Sequence, residues 1–316
     1  MYTVYGTKNS FFRLIYKRSK KRFEEVRGDM KKHWKSIVSW GFLLPSILGV
    51  LVFFVLPFIR VIYYALVDNP ISGEFVGFKN FKDLFENRAF LMAAKNTFVF
   101  STVAVITAII IPLGLALMLE AKIPAKSRLR TFFLSPLVVP TASIILIWQV
   151  VFSYNGYFNS LIGLFGSDPI DWMKSDYSQI VVLLLFLWKN VGYNMILFMS
   201  ALSNVPKAQL EAAEVDGAGA VRRFFVVKMR YISPSLFFVL LLSLINSFKV
   251  FREVYLLTGG YPYESIYFLQ HFMNNTFKSL DYQKLSAAAL IMSAVILAII
   301  LVIFLLEDKF GKDVEE

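Results

Sequence analysis

Six long apolar runs dominate the pattern of hydrophobic and polar positions: 40–66, 96–119, 131–153, 179–202, 232–251 and 285–306. A helix needs ~20 mostly apolar residues to cross the hydrocarbon core of a bilayer. The pattern therefore predicts an all-α integral membrane protein with six transmembrane helices. Prolines fall in four of the runs: Pro45 and Pro57, Pro112, Pro136 and Pro140, and Pro234. Neighbouring helices can satisfy the carbonyls that proline frees, so kinks are expected there rather than gates. Between the fourth and fifth runs the chain reads EAAEVDGAGAVRRFFVVKMRYISP from Glu211 to Pro234. Alanine favours helix and glycine breaks it, which predicts two short helices parted at Gly217. Ala212 and Ala213 present small faces that a partner's backbone could approach, as a docking element requires.

Composition agrees with membrane insertion. The 316 residues are 57% hydrophobic and 17% charged, against about 25% charged for a soluble domain. Without cysteine there is no disulfide framework and no thiolate metal site. The two histidines, His33 and His271, stand far apart and are expected to be isolated. The net charge of +11 points to basic cytoplasmic loops before it points to nucleic acid. Lys and Arg number 22 in segment 1–39, the second and fourth connections and the tail, against 8 in the other three connections. The first set is thus expected in the cytoplasm, with both termini. The basic-aromatic stretch FFRLIYKRSKKRFEEVR is read as a topology anchor in preference to a lipid-surface helix. No cleavable signal or internal repeat is evident. The expected organisation is a basic cytoplasmic segment 1–39, a first helix 40–66 and an extracytoplasmic linker 67–95. A five-helix domain 96–307 follows, with the docking loop at 203–231 and a cytoplasmic tail at 308–316.

Missing chemistry narrows the function. The six runs contain no Asp or Glu, although ion-coupled carriers commonly hold carboxylates at membrane depth. The phosphate-loop pattern G-x-x-x-x-G-K-[ST] is absent, so the chain has no evident nucleotide site of its own. Ser243 and Ser247 have no histidine near them in sequence, and no catalytic constellation is visible. If the chain transports a solute, the energy is therefore expected from another subunit. A self-contained secondary carrier or channel is the alternative, and an intramembrane enzyme the third reading.

The docking loop carries a resemblance. Glu211, Ala212, Ala213, Asp216, Gly217, Ala218, Phe224 and Pro234 match the loop pattern of permease subunits of bacterial binding-protein-dependent ABC importers, in the carbohydrate uptake branch. Arg230 stands where the family has its penultimate proline. The resemblance continues through Gly77-Phe78-Lys79-Asn80-Phe81, Asn96-Thr97, Leu134-Ser135-Pro136, Pro140, Trp148, Gly156, Asn159, Trp188-Lys189 with Gly192, and Thr258-Gly259-Gly260-Tyr261-Pro262. It implies the type I ABC importer permease fold. It also implies that the chain is non-enzymatic and moves a carbohydrate, such as an oligosaccharide, into the cytoplasm across a bacterial cytoplasmic membrane. The implied partners are a second, homologous permease subunit, two ATP-binding subunits and an extracytoplasmic solute-binding protein. ATP and Mg would be bound by the partner subunits and no cofactor by this chain.

In this family the Glu-Ala-Ala loop is the coupling helix that seats in a cleft of the ATPase. The resemblance assigns Glu211, Ala212, Ala213, Asp216, Gly217 and Ala218 to that role. It places substrate contacts in the fourth and fifth helices, at Gly192, Tyr193, Asn194, Ser243, Asn246, Ser247 and Val250. Positions 243, 246, 247 and 250 follow i, i+3, i+4, i+7 and share one helix face. Helix–helix hydrogen bonding is the competing explanation for these polar residues.

Overall fold

The computed structural model describes residues 39–120 and 126–311. The basic-aromatic stretch and the end of the tail lie outside them. The chain divides into two units, 1–63 and 64–316. In the first, helix α1 (Ser39–Leu66) begins and runs through a π-turn at Leu51–Val55, just before Pro57. Proline cannot donate to the carbonyl four residues back, and a π-turn is one way to absorb the mismatch.

The second unit is helical, and among the described residues only a bridge between Val67 and Phe75 has strand character. Helix α2 is Lys79–Phe85 and α3 is Arg88–Glu120. Helix α4 (Lys126–Leu134) passes through a 3-10 turn at Ser135–Leu137 into α5 (Thr141–Val151). Then come α6 (Tyr157–Leu164), α7 (Ser178–Ser203), α8 (Lys207–Val215), the long α9 (Ala220–Thr258), α10 (Leu269–Lys278) and α11 (Tyr282–Gly311). Among the described residues five helices, α1, α3, α7, α9 and α11, are long and apolar enough to cross a membrane, and the bent α4–α5 pair makes a sixth candidate.

Three helices form the centre. The buried positions of α3 include Ala93, Thr97, Ser101, Ala104, Ala108, Pro112 and Ala116, a stripe of small residues three or four apart. Small residues let backbones approach where lipid supplies no hydrophobic drive between helices. Phe100, Ala104 and Ala108 of α3 pack with Val182 and Phe186 of α7 and Val250 and Val254 of α9. Nearer the other end, Ala116 and Leu119 meet Met195, Phe198 and Leu202 of α7 and Ile232 and Val239 of α9.

Proline chemistry explains a polar joint in this core. Pro112 has no N–H for the Ala108 carbonyl, one turn back. The Asn194 side-chain amide donates to that carbonyl at 2.9 Å and to the Ser243 hydroxyl at 3.1 Å. One asparagine thus ties α3, α7 and α9 together.

The motif residues in the connections act as staples. Asn80 donates to the Ala65 and Val67 carbonyls at the end of α1, at 3.0 and 2.8 Å. Asn96 donates to the Glu264 and Tyr267 carbonyls, and the Leu269 amide donates to Thr97 Oγ1 at 2.8 Å. Asn159 accepts from the Ile170 amide and Trp172 Nε1 while donating to the Tyr154 and Ile170 carbonyls. His271 in α10 is fully buried beside Phe251, and its Nδ1 accepts from the Phe268 amide. Burial pushes its pKa down to about 4, so the imidazole is neutral near pH 7.

Two expectations change. The third run, 131–153, is not one straight span: the chain turns through 98° between its two helical halves, at the segment bounded by Pro136 and Pro140. The two prolines remove two donors and restrict the residues before them, so the helix ends there. The fifth span also runs past residue 251: α9 continues to Thr258 after a one-turn break at Lys249 and Val250. Glu253 therefore lies on the same long helix as the fifth run, two residues beyond it.

Candidate functional site

Two regions hold the coupling-loop residues and part of the substrate-contact candidates. The first is the α8–α9 junction. Helix α8 ends in a Schellman motif: the Ala218 amide donates to the Ala213 carbonyl at 2.9 Å and the Gly217 amide to the Glu214 carbonyl at 3.0 Å. This closure needs a left-handed residue, and Gly217 has φ +77°. Gly219 caps the next helical turn, which opens α9 at Ala220. The helix, break and second helix written in the sequence are thus present as a hydrogen-bonded knuckle. Arg223 spans the break to Glu214 at 2.5 Å. Glu211, Ala212 and Asp216 are exposed, while Ala213 and Ala218 are half-buried. Val215 and Val221 are 88% and 72% exposed, an apolar pair at a polar knuckle. Behind it, Lys228 in the π-turn Phe224–Lys228 pairs with Glu120 at 2.5 Å, tying the knuckle's root to the end of α3.

The second region is a cavity of about 300 Å³ where α7 crosses α9. Its polar lining is Lys189, Asn190, Asn246, Lys249, Arg252 and Glu253, and Leu137 from the α4–α5 break borders it. Lys189 and Glu253, 64 residues apart, form an ion pair, with side chains 33% and 10% exposed. Asn246 donates to Asn190 Oδ1 at 2.9 Å, and Asn190 donates to the Phe186 carbonyl at 2.8 Å.

The structure divides the substrate-contact candidates. Asn246 lines this cavity, and Val250 borders it while filling the core beside Phe186. Asn194 and Ser243 are buried in the joint below Pro112. The Ser247 hydroxyl donates to the Leu244 carbonyl of its own helix at 2.7 Å. At Gly192 a Cβ would overlap the Phe133 carbonyl, so glycine permits the close approach of α7 to α4. Tyr193 is 41% exposed, away from the cavity lining. Lys189 and Lys249, the two lysines within the apolar runs and the cations open to an anionic ligand, join Asn246 there, with Asn190, Arg252 and Glu253, which sequence reasoning did not select. Lysine inside an apolar span was the available signal, since such a charge requires a partner or water. Among the described residues, no group of three or more His, Asp or Glu could hold a metal.

Fold and site together define a multi-pass helical membrane transport subunit. The chain belongs to the family of binding-protein-dependent transport system inner membrane components, whose model matches residues 108–316. It is 30% identical, over 83% of its length and 91% of the relative, to the sn-glycerol-3-phosphate transport system permease protein UgpA of Pectobacterium atrosepticum. It is 29% identical to the multiple sugar-binding transport system permease protein MsmF of Streptococcus mutans, covering 90% of this chain and 99% of that one. Its fold matches a chain from the crystal structure of a bacterial ABC transporter that imports the acidic polysaccharide alginate. The TM-score is 0.76 at 21% identity, covering 90% of this chain and 99% of that chain. This is the type I importer permease fold expected from the sequence.

Proposed function

We propose that this chain is the permease subunit of an ATP-driven importer that carries a carbohydrate, in oligosaccharide form, from an external binding protein into the cytoplasm. Family membership and the names of the sugar-permease relatives support the reading. The observation that carries it is the knuckle at Gly217, on the Lys- and Arg-rich side, with Val215 and Val221 bare to water. Glu211, Ala212, Ala213, Asp216, Gly217 and Ala218 seat it in a cleft of an ATP-binding subunit. Two such subunits hold the ATP and Mg, and a second permease, homologous to this chain, completes the pore. Both termini lie in the cytoplasm, and the five-helix domain that begins with α3 and runs to 307 does the transporting. The substrate-contact candidates divide by role: Asn246 meets the sugar, and Gly192, Asn194, Ser243 and Ser247 set the packing around it.

The Lys189–Glu253 pair supplies the intramembrane charge that a secondary carrier would need, but Glu253 is already neutralised by lysine. Co-expression with the genes for a candidate ATPase and binding protein, followed by purification and reconstitution, tests the reading. Retention of the ATPase and sugar uptake that requires internal ATP are expected. Uptake by the chain alone without nucleotide would establish the carrier instead.

A further inference from the structure

The cavity between α7 and α9 has an unbalanced charge. Three cations line it, Lys189, Lys249 and Arg252, against one carboxylate, Glu253. Glu253 is spoken for by Lys189. Lys249 and Arg252 are exposed, and neither forms an ion pair among the described residues. They sit three residues apart, at the break in α9, so both reach the same opening. Cations in a membrane-spanning helix face protein or a water-filled cavity, and they mark the path of ions or substrates. Two like charges in one confined opening raise its potential, which a bound anion relieves.

We infer that this cavity selects an anionic carbohydrate, with Lys249 and Arg252 holding its carboxylate or phosphate and the Asn190–Asn246 pair meeting its hydroxyls. The inference rests on the importer reading above and specifies its substrate class. Arginine's planar fork matches a carboxylate or phosphate through paired hydrogen bonds, and lysine adds a mobile point charge. The amide pair is held in register by the bond from Asn246 to Asn190 and by the anchor on the Phe186 carbonyl. That arrangement leaves the Asn246 Oδ1 to accept from a sugar hydroxyl. The cavity volume, about 300 Å³, lies at the small end of ligand sites and suits one sugar residue at a time. The Lys189–Glu253 pair stands at the wall, where the carboxylate is masked from an incoming anion by its lysine.

The test uses the full assembly in proteoliposomes with its binding protein and internal ATP. Uptake is followed for a labelled galacturonate trisaccharide, a hexose 6-phosphate and neutral maltotriose. ATP-dependent uptake of an anionic probe is expected, and which of the two is taken separates carboxylate from phosphate recognition. The double variant Lys249→Gln, Arg252→Gln should lower that uptake by roughly tenfold or more, and the charge-preserving Lys249→Arg, Arg252→Lys should restore most of it. Uptake confined to maltotriose overturns the anion assignment and leaves the importer standing. A loss that the charge-preserving variant does not restore assigns these residues to packing and overturns the assignment too. No ATP-dependent uptake of either anionic probe overturns the inference, while retention of the ATPase in the same preparation reports on the importer reading separately.

Discussion

The knuckle at Gly217 and the cavity at Lys189 each contain a salt bridge, yet they are built in opposite ways. The knuckle is one stretch of chain. Its helix, its left-handed glycine and its next helix follow each other from Lys207 to Arg223, and its Glu214–Arg223 pair closes over nine residues. The cavity is drawn from the α4–α5 break, from α7 and from α9, and its ion pair joins residues 64 apart. A contiguous element keeps its shape by local hydrogen bonds and is free to be exposed. An assembled one exists only while three helices hold their packing. Changes at the cavity should therefore register in stability, and changes at the knuckle in coupling.

The largest effect is expected where α7 packs against α4. Gly192→Ala places a methyl group against the Phe133 carbonyl, which is backbone and cannot rotate away. Overpacking typically costs about 1–3 kcal/mol, and a backbone clash belongs at or above the top of that range. The purified subunit should lose thermal stability clearly in a melting assay in detergent. A variant melting like the parent would show that α7 and α4 are not held this closely. Next in size is Glu253→Gln, which leaves Lys189 charged without its partner. Breaking a buried pair costs about 3–5 kcal/mol. Lys189 is a third exposed, so roughly 2 kcal/mol is expected after solvent screening. The double change Glu253→Gln, Lys189→Met should recover most of the loss. Failure to recover would show that the two residues act independently.

The knuckle should answer differently. Gly217→Val has no clash, because nothing lies within 4 Å of the added Cβ. Its cost is conformational, about 1–2 kcal/mol for an L-residue forced into the left-handed region. That is enough to displace the break and lower ATP-driven uptake by about tenfold, since 1.4 kcal/mol is one decade. Melting of the subunit should fall by only a few degrees, less than for Gly192→Ala. Asparagine tolerates this conformation, so Gly217→Asn should keep most of the uptake. Parent-like uptake by the valine variant at equal expression would remove the glycine from the coupling step.

The same difference decides what could be read from the chain. Six apolar runs and the 211–218 loop are contiguous signals, and the helices and the Gly217 break follow them. The α4–α5 turn was hidden because Pro136 and Pro140 announce a disturbance but not its angle, which tertiary packing sets. Helix α3 begins at Arg88 and not at 96 because Arg88 and Lys95 interrupt the apolar run without interrupting helix. Arg252 and Glu253 ended the fifth run in the same way, and this left the cavity's carboxylate outside the run although the helix continues to Thr258. The periodicity of 243, 246, 247 and 250 correctly marked an inward face, with Ser243, Ser247 and Val250 buried. It could not separate a residue lining a cavity from one filling a joint, because that depends on Pro112 and Phe186 in other helices.

The smallest effect sharpens the contrast between the two ion pairs. Arg223 and Glu214 approach to 2.5 Å, but Glu214 is 66% exposed on its side chain. Water solvates the Glu214 carboxylate, although the Arg223 side chain is 26% exposed, so the pair contributes only about 0.2–1 kcal/mol, and less at physiological salt. The Schellman closure at Ala213, Glu214, Gly217 and Ala218 uses backbone groups alone and does not need the bridge. Arg223→Gln should therefore leave melting unchanged and reduce ATP-driven uptake by less than about twofold, a change worth about 0.4 kcal/mol. Measured beside Glu253→Gln, it compares one chemistry in two dielectric settings. A loss at Arg223 as large as the loss at Glu253 would mean that the knuckle is covered in the working assembly, with the pair buried against the ATP-binding subunit.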